Sequence, residues 1–375
     1  MSSNRTGDGA REGLDEKFYM ASQWQLMLWK FKKHKAAVAA SWLIGLLYFV
    51  ALFCEFLAPY GLESRHSSYI FAPPQPIHFV SEEGFQLRPF VYALEMNLDR
   101  ETLQRMYSED RTKRYPIRLF ARGDRYKFWG LFETDVHLFG AAGGGVWFPF
   151  GTDRMGRDLF SRILYGTRVS LSIGLIGVLL SFVLGLLLGG LSGYFGGILD
   201  TAIQRLIEII RSFPTIPLWL ALSAALPAEW PVLRVYFGIT IILSLIGWTG
   251  LARVVRGKLL SLREEDFVTA ARVAGAGELR IIRKHLLPSF LSHIVVSITL
   301  RIPQMILGET ALSFLGLGLR PPVTSWGVLL QEAQNVQTVS LHPWLMLPVV
   351  FVIVAVLAFN FAGDGLRDAA DPYAR

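Results

Sequence analysis

The sequence predicts an all-α polytopic membrane protein with six transmembrane helices and a small extracytoplasmic α+β insertion. Three observations predict it. The 375 residues are 52% hydrophobic and only 18% charged, where a soluble domain carries about 25% charged residues, and the mean hydropathy is +0.39. Five windows contain no Asp, Glu, Lys or Arg: Ala36–Cys54, Val169–Leu199, Ser212–Ala228, Val235–Ala252 and Ala333–Gly363. A sixth, Leu286–Leu319, is interrupted only by Arg301 and Glu309.

Crossing lipid takes roughly 20 apolar residues, which sets spans near 36–58, 169–193, 203–226, 236–256, 289–312 and 345–363. Their orientation follows from the placement of the +7 net charge. Lys30, Lys32, Lys33 and Lys35 directly precede the first span, and residues 253–288 hold eight Lys/Arg against four acids. Loops 227–235 and 313–344 hold one Arg each. By the positive-inside asymmetry, the tails 1–35 and 364–375 and the loop 257–288 are cytoplasmic, and 59–168 faces outward. This placement fits a membrane topology and not nucleic-acid binding. The segment before span one is too long and polar for a signal peptide, so that span is an uncleaved anchor. Cys54 is the lone cysteine, which excludes a disulfide or a cysteine-based metal site.

Within the outward loop, residues 62–139 read as an insertion. "LDRETLQRMYSED" reads as a short helix, and "YPIRLFARGDRYKFWGL" alternates as a hairpin around Gly123–Asp124. The Arg-Gly-Asp at 122–124 is taken as part of that turn in preference to an adhesion signal. "GAAGGG" (140–145) reads as a flexible exit. Neither an internal repeat nor a low-complexity tract is evident.

"FGTDRMGRDLFSRILYGTRVSL" (150–171) leads into the core of helices two to six, 169–363. Thr152 or Asp153 is placed to cap a helix that lies in the membrane interface and feeds span two. It reads as a structural elbow, with direct substrate contact as the other reading. In span three, Arg205, Glu208 and Arg211 share one helical face, either as helix-end anchors or in a coupling role. Pro214 and Pro217 predict a kink beyond them. Arg301 and Glu309 in span five are costly against hydrocarbon. They face the translocation pathway or a subunit interface, or else are locked to neighbouring helices.

The segment "FVTAARVAGAGELRIIRKHLLP" (267–288) sits between two spans. Ala270, Ala271 and Ala274 make a smooth helical strip on which another surface can come close. Gly275 and Gly277 permit a turn, after which "ELRIIRKHLL" restarts as an amphipathic helix presenting Arg280, Arg283 and Lys284. Pro288 ends it. This helix–turn–helix suits a partner interface better than a catalytic site, and the bare pattern also fits a membrane-surface helix.

The order Asp266-Phe267-Val268-x-Ala270-Ala271-Arg272-x-x-Gly275-Ala276, then Arg280-Ile281-Ile282, His285, Leu287 and Pro288, resembles the EAA loop of ABC importer permeases. The similarity is closest to the dipeptide/oligopeptide/nickel group. "GTDRMGRDLFSRILYGTRVSL", "ETALSFLGLGLRPPVTSWG" (309–327) and "GDGLRDAADP" (363–372) match that group's C-type subunit. The resemblance covers about 28–60 and 148–375, and the 62–139 insertion is longer than the group's usual outward loop.

The resemblance implies a type I-like ABC importer fold in a bacterial cytoplasmic (inner) membrane. It implies a heterodimer with a homologous permease subunit, two ATP-binding subunits and an extracytoplasmic solute-binding protein. Asp266, Ala270, Ala271, Arg272, Gly275, Arg280, His285 and Pro288 would then form the ATPase-coupling loop, 264–288. ATP and Mg would sit on the partner ATPase, with no cofactor, metal or catalytic residue on this chain. The chain lacks G-x-x-x-x-G-K-[ST], H-E-x-x-H and G-x-S-x-G, so a transport subunit is expected and not an enzyme. Substrates in this group include peptides, nickel and oligosaccharides, with peptides expected here. A secondary carrier would show an internal repeat and broken helices. An intramembrane enzyme would need convergent polar groups in mid-span, and Arg301 and Glu309 lie about 12 Å apart along a helix.

Overall fold

In the computed structural model, which describes residues 23–81, 84–101, 104–227, 229–286 and 290–370, the apolar windows form long helices. Helix α1 (Gln23–Lys33) ends at His34, whose Nδ1 accepts from the Ala37 amide at 3.1 Å and so caps α2 (Lys35–Leu52). A short turn, α3 (Cys54–Leu57), closes that span. Helix α4 (Leu159–Phe195) is continuous for 37 residues, about 55 Å long, and therefore protrudes from a hydrocarbon layer of about 30 Å. Its cap is Asp158, accepting from the Ser161 amide at 2.7 Å. Neither Thr152 nor Asp153 caps it, because both are engaged in the turn that precedes it.

Helices α5 (Gly197–Ser212) and α6 (Thr215–Ala224) meet at 88°. The expected proline kink is thus a full break. Pro214 supplies no amide and disfavours helix at the residue before it. Helix α7 (Val232–Leu262) is unbroken. The span expected fifth is α10 (Leu291–Thr299) plus α11 (Ile302–Phe314), and α12 (Trp326–Gln331), α13 (Val336–Leu341) and α14 (Leu347–Ala370) follow. Among the described residues five helical stretches are long and apolar enough to cross a membrane, and a sixth exists only if the bent α5–α6 pair is one span.

The bundle core gathers Ile173 and Val178 of α4, Leu243 of α7, Ile306 of α11 and Ala355 of α14. Close approach of α4 and α7 is sealed by hydroxyls. Ser244 Oγ donates to the Gly177 carbonyl at 3.0 Å, and Ser181 Oγ to the Ser244 carbonyl at 3.1 Å. Ala40 packs on Ala358 and Ala362, the small-residue contact expected where lipid supplies no hydrophobic drive. The start of α2, the end of α14 and residues 262–286 share one end of the bundle.

The insertion occupies the other end, and among its described residues the regular structure is a sheet with one 3-10 turn at Ser67–Tyr69 and no α-helix, which corrects the α+β expectation. Strands β1 (His78–Ser81), β2 (Gly84–Leu98), β3 (Arg105–Phe128) and β4 (Phe132–Ala141) form an antiparallel meander. Strand β3 pairs with β2 along its first half (Leu98↔Arg105 to Phe90↔Pro116) and with β4 along its second (Ile117↔Ala141 to Phe128↔Phe132). Most of "LDRETLQRMYSED" is therefore strand end, turn and strand. The β3–β4 turn lies at Trp129–Leu131, while 123–125 is a register shift within the ladder. Asp124 Oδ2 there accepts from the Gly61 amide at 3.0 Å, so the aspartate of the Arg-Gly-Asp is tied into the fold while Arg122 and Gly123 are exposed.

Candidate functional site

The 264–288 loop is anchored by its apolar residues. Helix α8 (Asp266–Val273) buries Val268, and the turn α9 (Glu278–Ile281) with the wider turn after it buries Ile281 and Leu286. All three join Tyr194 of α4 and Leu251, Val255 and Leu259 of α7 in one cluster. Between the helices, Gly275 has φ +81°. Its amide donates to the Arg272 carbonyl and that of Ala276 to the Ala271 carbonyl, both at 3.0 Å, the paired bonds that close a helix on a left-handed residue. A side chain at 275 would have open space but a strained backbone. Arg272 Nε reaches Glu278 Oε1 at 3.8 Å across the turn.

The expected alanine strip divides in two. At 100° per residue, Ala271 falls beside Val268 and packs half-buried on the cluster, so it is not part of the outer surface. Ala270 and Ala274 are exposed, and they share the outer face with Phe267, 42% exposed, and Val273, 86% exposed. Residue spacing missed Val273, although its angle, far from Val268, was readable. Asp266 and Arg280 are exposed. The side chain of His285 and all of Pro288 lie outside the described residues. Next to the loop, Arg256 of α7 holds Asp200 of α5 through two hydrogen bonds of 2.6 and 2.7 Å. The 56-residue separation hid this pair from the sequence. Arg205 and Glu208 pair at 2.7 Å on an exposed face.

Glu309 does not face a pathway or a subunit interface. It is fully buried within this chain and accepts from Ser325 Oγ at 2.6 Å, Ser313 Oγ at 2.7 Å and Ser170 Oγ at 3.3 Å. Those hydroxyls also accept backbone amides: Ser170 from Trp326, Ser313 from Leu319, Ser325 from Val328. The carboxylate thus bolts α4 and α11 to the loop before α12. Here Gly327 lies so close to Thr310 that a Cβ would meet its backbone at 2.8 Å. The two ends of the 309–327 stretch, Glu309–Ser313 and Thr324–Gly327, meet in a buried joint, and Arg320–Pro322 between them are exposed. Arg301 does not pair with Glu309. It sits at the α10–α11 break, half-buried, with Nη1 donating to the Gly247 carbonyl at 2.7 Å. Among the described residues no carboxylate pairs with it.

The 150–171 stretch is a second buried joint, at the sheet end. Asp153 takes Arg157 Nε at 2.7 Å and pairs with the buried Arg162. Both arginines also reach Glu332 Oε1 at 3.3 Å. Burial pushes the neighbouring Asp158 carboxyl up to about 7, against the pull of the Ser161 bonds. These buried ion pairs tie the stretch to Glu332, and it runs into α4 without a separate interface helix.

Residues 155–375 match the family described as binding-protein-dependent transport system inner membrane component, and residues 22–74 match the N-terminal TM domain of oligopeptide transport permease C. The oligopeptide transport system permease protein OppC of Haemophilus influenzae is 42% identical over 64% of this chain and 75% of its own length. The dipeptide transport system permease protein DppC of Bacillus subtilis is 40% identical over 60% and 69%. DppC of Lactococcus lactis is 33% identical over 92% and 89%.

Proposed function

This chain belongs to the binding-protein-dependent transport inner-membrane components, the permease subunits of ABC importers, and we propose that it forms half of an ATP-driven pathway for peptides. The names of its relatives support peptides over the nickel or oligosaccharides handled elsewhere in the group. The bent α5–α6 pair counts as the third of six spans, both termini and the 264–288 loop face the cytoplasm, and the sheet faces outward. A homologous permease completes the pathway, a solute-binding protein delivers to it, and two ATPase subunits carry ATP and Mg.

One observation carries the coupling role: the outer face of α8 offers Phe267, Ala270, Val273 and Ala274 to a partner while Val268, Ile281 and Leu286 fix the loop to α4 and α7. Apolar side chains this exposed on a rigid unit are what a protein groove receives. Closure of the ATPases on nucleotide would push α8 and α9 as one body, and the shared cluster would pass that displacement to two spans. Hydrolysis would release it.

A photo-reactive amino acid at Val273 tests this in cells expressing the whole transporter. The expected result is a crosslink to the ATPase subunit. Adducts to lipid alone would remove the coupling role. Uptake of a labelled dipeptide, competed by unlabelled peptide and not by Ni²⁺ or oligosaccharide, tests the substrate.

A further inference from the structure

Outside the spans, the β3–β4 turn carries an exposed apolar tip. Leu131 is 77% exposed and Phe132 70%, beside a corner residue, Trp129, held at φ 52°. Three contacts fix that strained corner to the far end of the first span and to α4 beside it. Trp129 Nε1 donates to the Leu52 carbonyl at 2.9 Å. The Arg168 guanidinium lies 5.1 Å from the Trp129 ring centre, a cation–π contact. Phe128 stacks on Phe53 with ring centres 5.8 Å apart.

The direction of approach follows from a fourth contact, Phe120 on Phe56 at 6.2 Å. Passing from Phe56 to Phe53 to Leu52 moves into the span, and its partners Phe120, Phe128 and Trp129 move in step toward the tip. Strand β3 therefore descends toward the bilayer. On α2 the surface just beyond is apolar and open, with Leu52 44% and Phe49 49% exposed. The exposed apolar side chains of the tip adjoin those of the span, whose length and apolarity suit it to lipid.

We propose that residues 127–132 are a membrane foot on the leaflet at the Leu52 end. Leu131 and Phe132 enter the acyl region. Trp129 sits at headgroup depth, where amphipathic rings collect, and the exposed Lys127 meets phosphate. The foot requires α2 to span the membrane and is independent of which side the sheet faces.

A polarity-sensitive fluorophore on Leu131→Cys, in the assembled transporter in nanodiscs, tests this, with the buried Cys54 left in place. Leu87→Cys on β2, a residue 88% exposed, is the aqueous control, and Phe132→Cys is a second probe site. We expect lipid-borne nitroxide to quench the 131 and 132 probes several-fold more than the 87 probe, and aqueous iodide to do the reverse. Iodide quenching at 131 and 132 equal to that at 87 would place the tip in water and overturn the foot. Quenching by neither agent would mean that a protein surface covers the tip, and would overturn it as well.

Discussion

Replacing Glu309 by leucine removes one carboxylate and strands three serine hydroxyls that all point at it. Each polar group left unpaired in the interior costs about 1–3 kcal/mol, so Glu309→Leu should lower the thermal midpoint of the purified complex sharply. Glu309→Gln keeps an acceptor oxygen and should lower it less. Asp158 gives a pH signature at the other joint. Its carboxyl holds its proton up to about 7 when folded and to the ordinary carboxylate range when unfolded. The stability it contributes is therefore complete at low pH and lost as pH rises through 7. Asp158→Asn keeps the capping oxygen and never ionises. Its thermal midpoint should exceed wild type at pH 8.5, and the gap should narrow as pH falls from 7 and close only below about pH 3.8.

At the level of elements, the 150–171 joint and the 264–288 loop answer differently to substitution. Asp153→Ala leaves Arg157 and Arg162 facing only Glu332, and breaking a buried ion pair costs about 3–5 kcal/mol. The variant should be cleared from the membrane, as an immunoblot would show. In the loop, Ala271→Arg drives a guanidinium into the cluster under α8 and should disorder the loop itself, raising its protease sensitivity. Val273→Glu alters only the outer face, so the subunit should insert and resist protease normally while substrate-stimulated ATPase activity is lost. The sequence showed the loop and its turn at Gly275, because those are local patterns. It did not show which alanine faces inward, since that depends on the apolar cluster from α4 and α7. The short helix expected over 98–110 fails for a similar reason. Much of β2 and β3 is exposed on both faces, so the alternation that marks a half-buried strand is missing, and "LDRETLQRMYSED" was left with helix-like spacing.

For the whole molecule, cysteines at Ser67 and Ser108 are exposed at the sheet end and should react with a membrane-impermeant maleimide in intact cells, or in spheroplasts where there is an outer membrane. Labelling only after lysis would invert the topology. The spans were legible because length and apolarity are properties of single segments. The partners of Asp200, Arg162 and Glu309 were not, because each lies more than 50 residues away in sequence for at least one contact. The 88° break between α5 and α6 has a consequence for cell biology. Residues 211–217 around it are exposed on this chain, and with the bent pair taken as the proposed third span they lie at membrane depth, where irregular backbone survives only beside protein or water. A solitary copy would therefore be a poor lodger in any bilayer, recognisable to quality-control proteases by an unsheltered elbow. Its half-life in a pulse-chase experiment should shorten severalfold when the gene for the second permease is deleted.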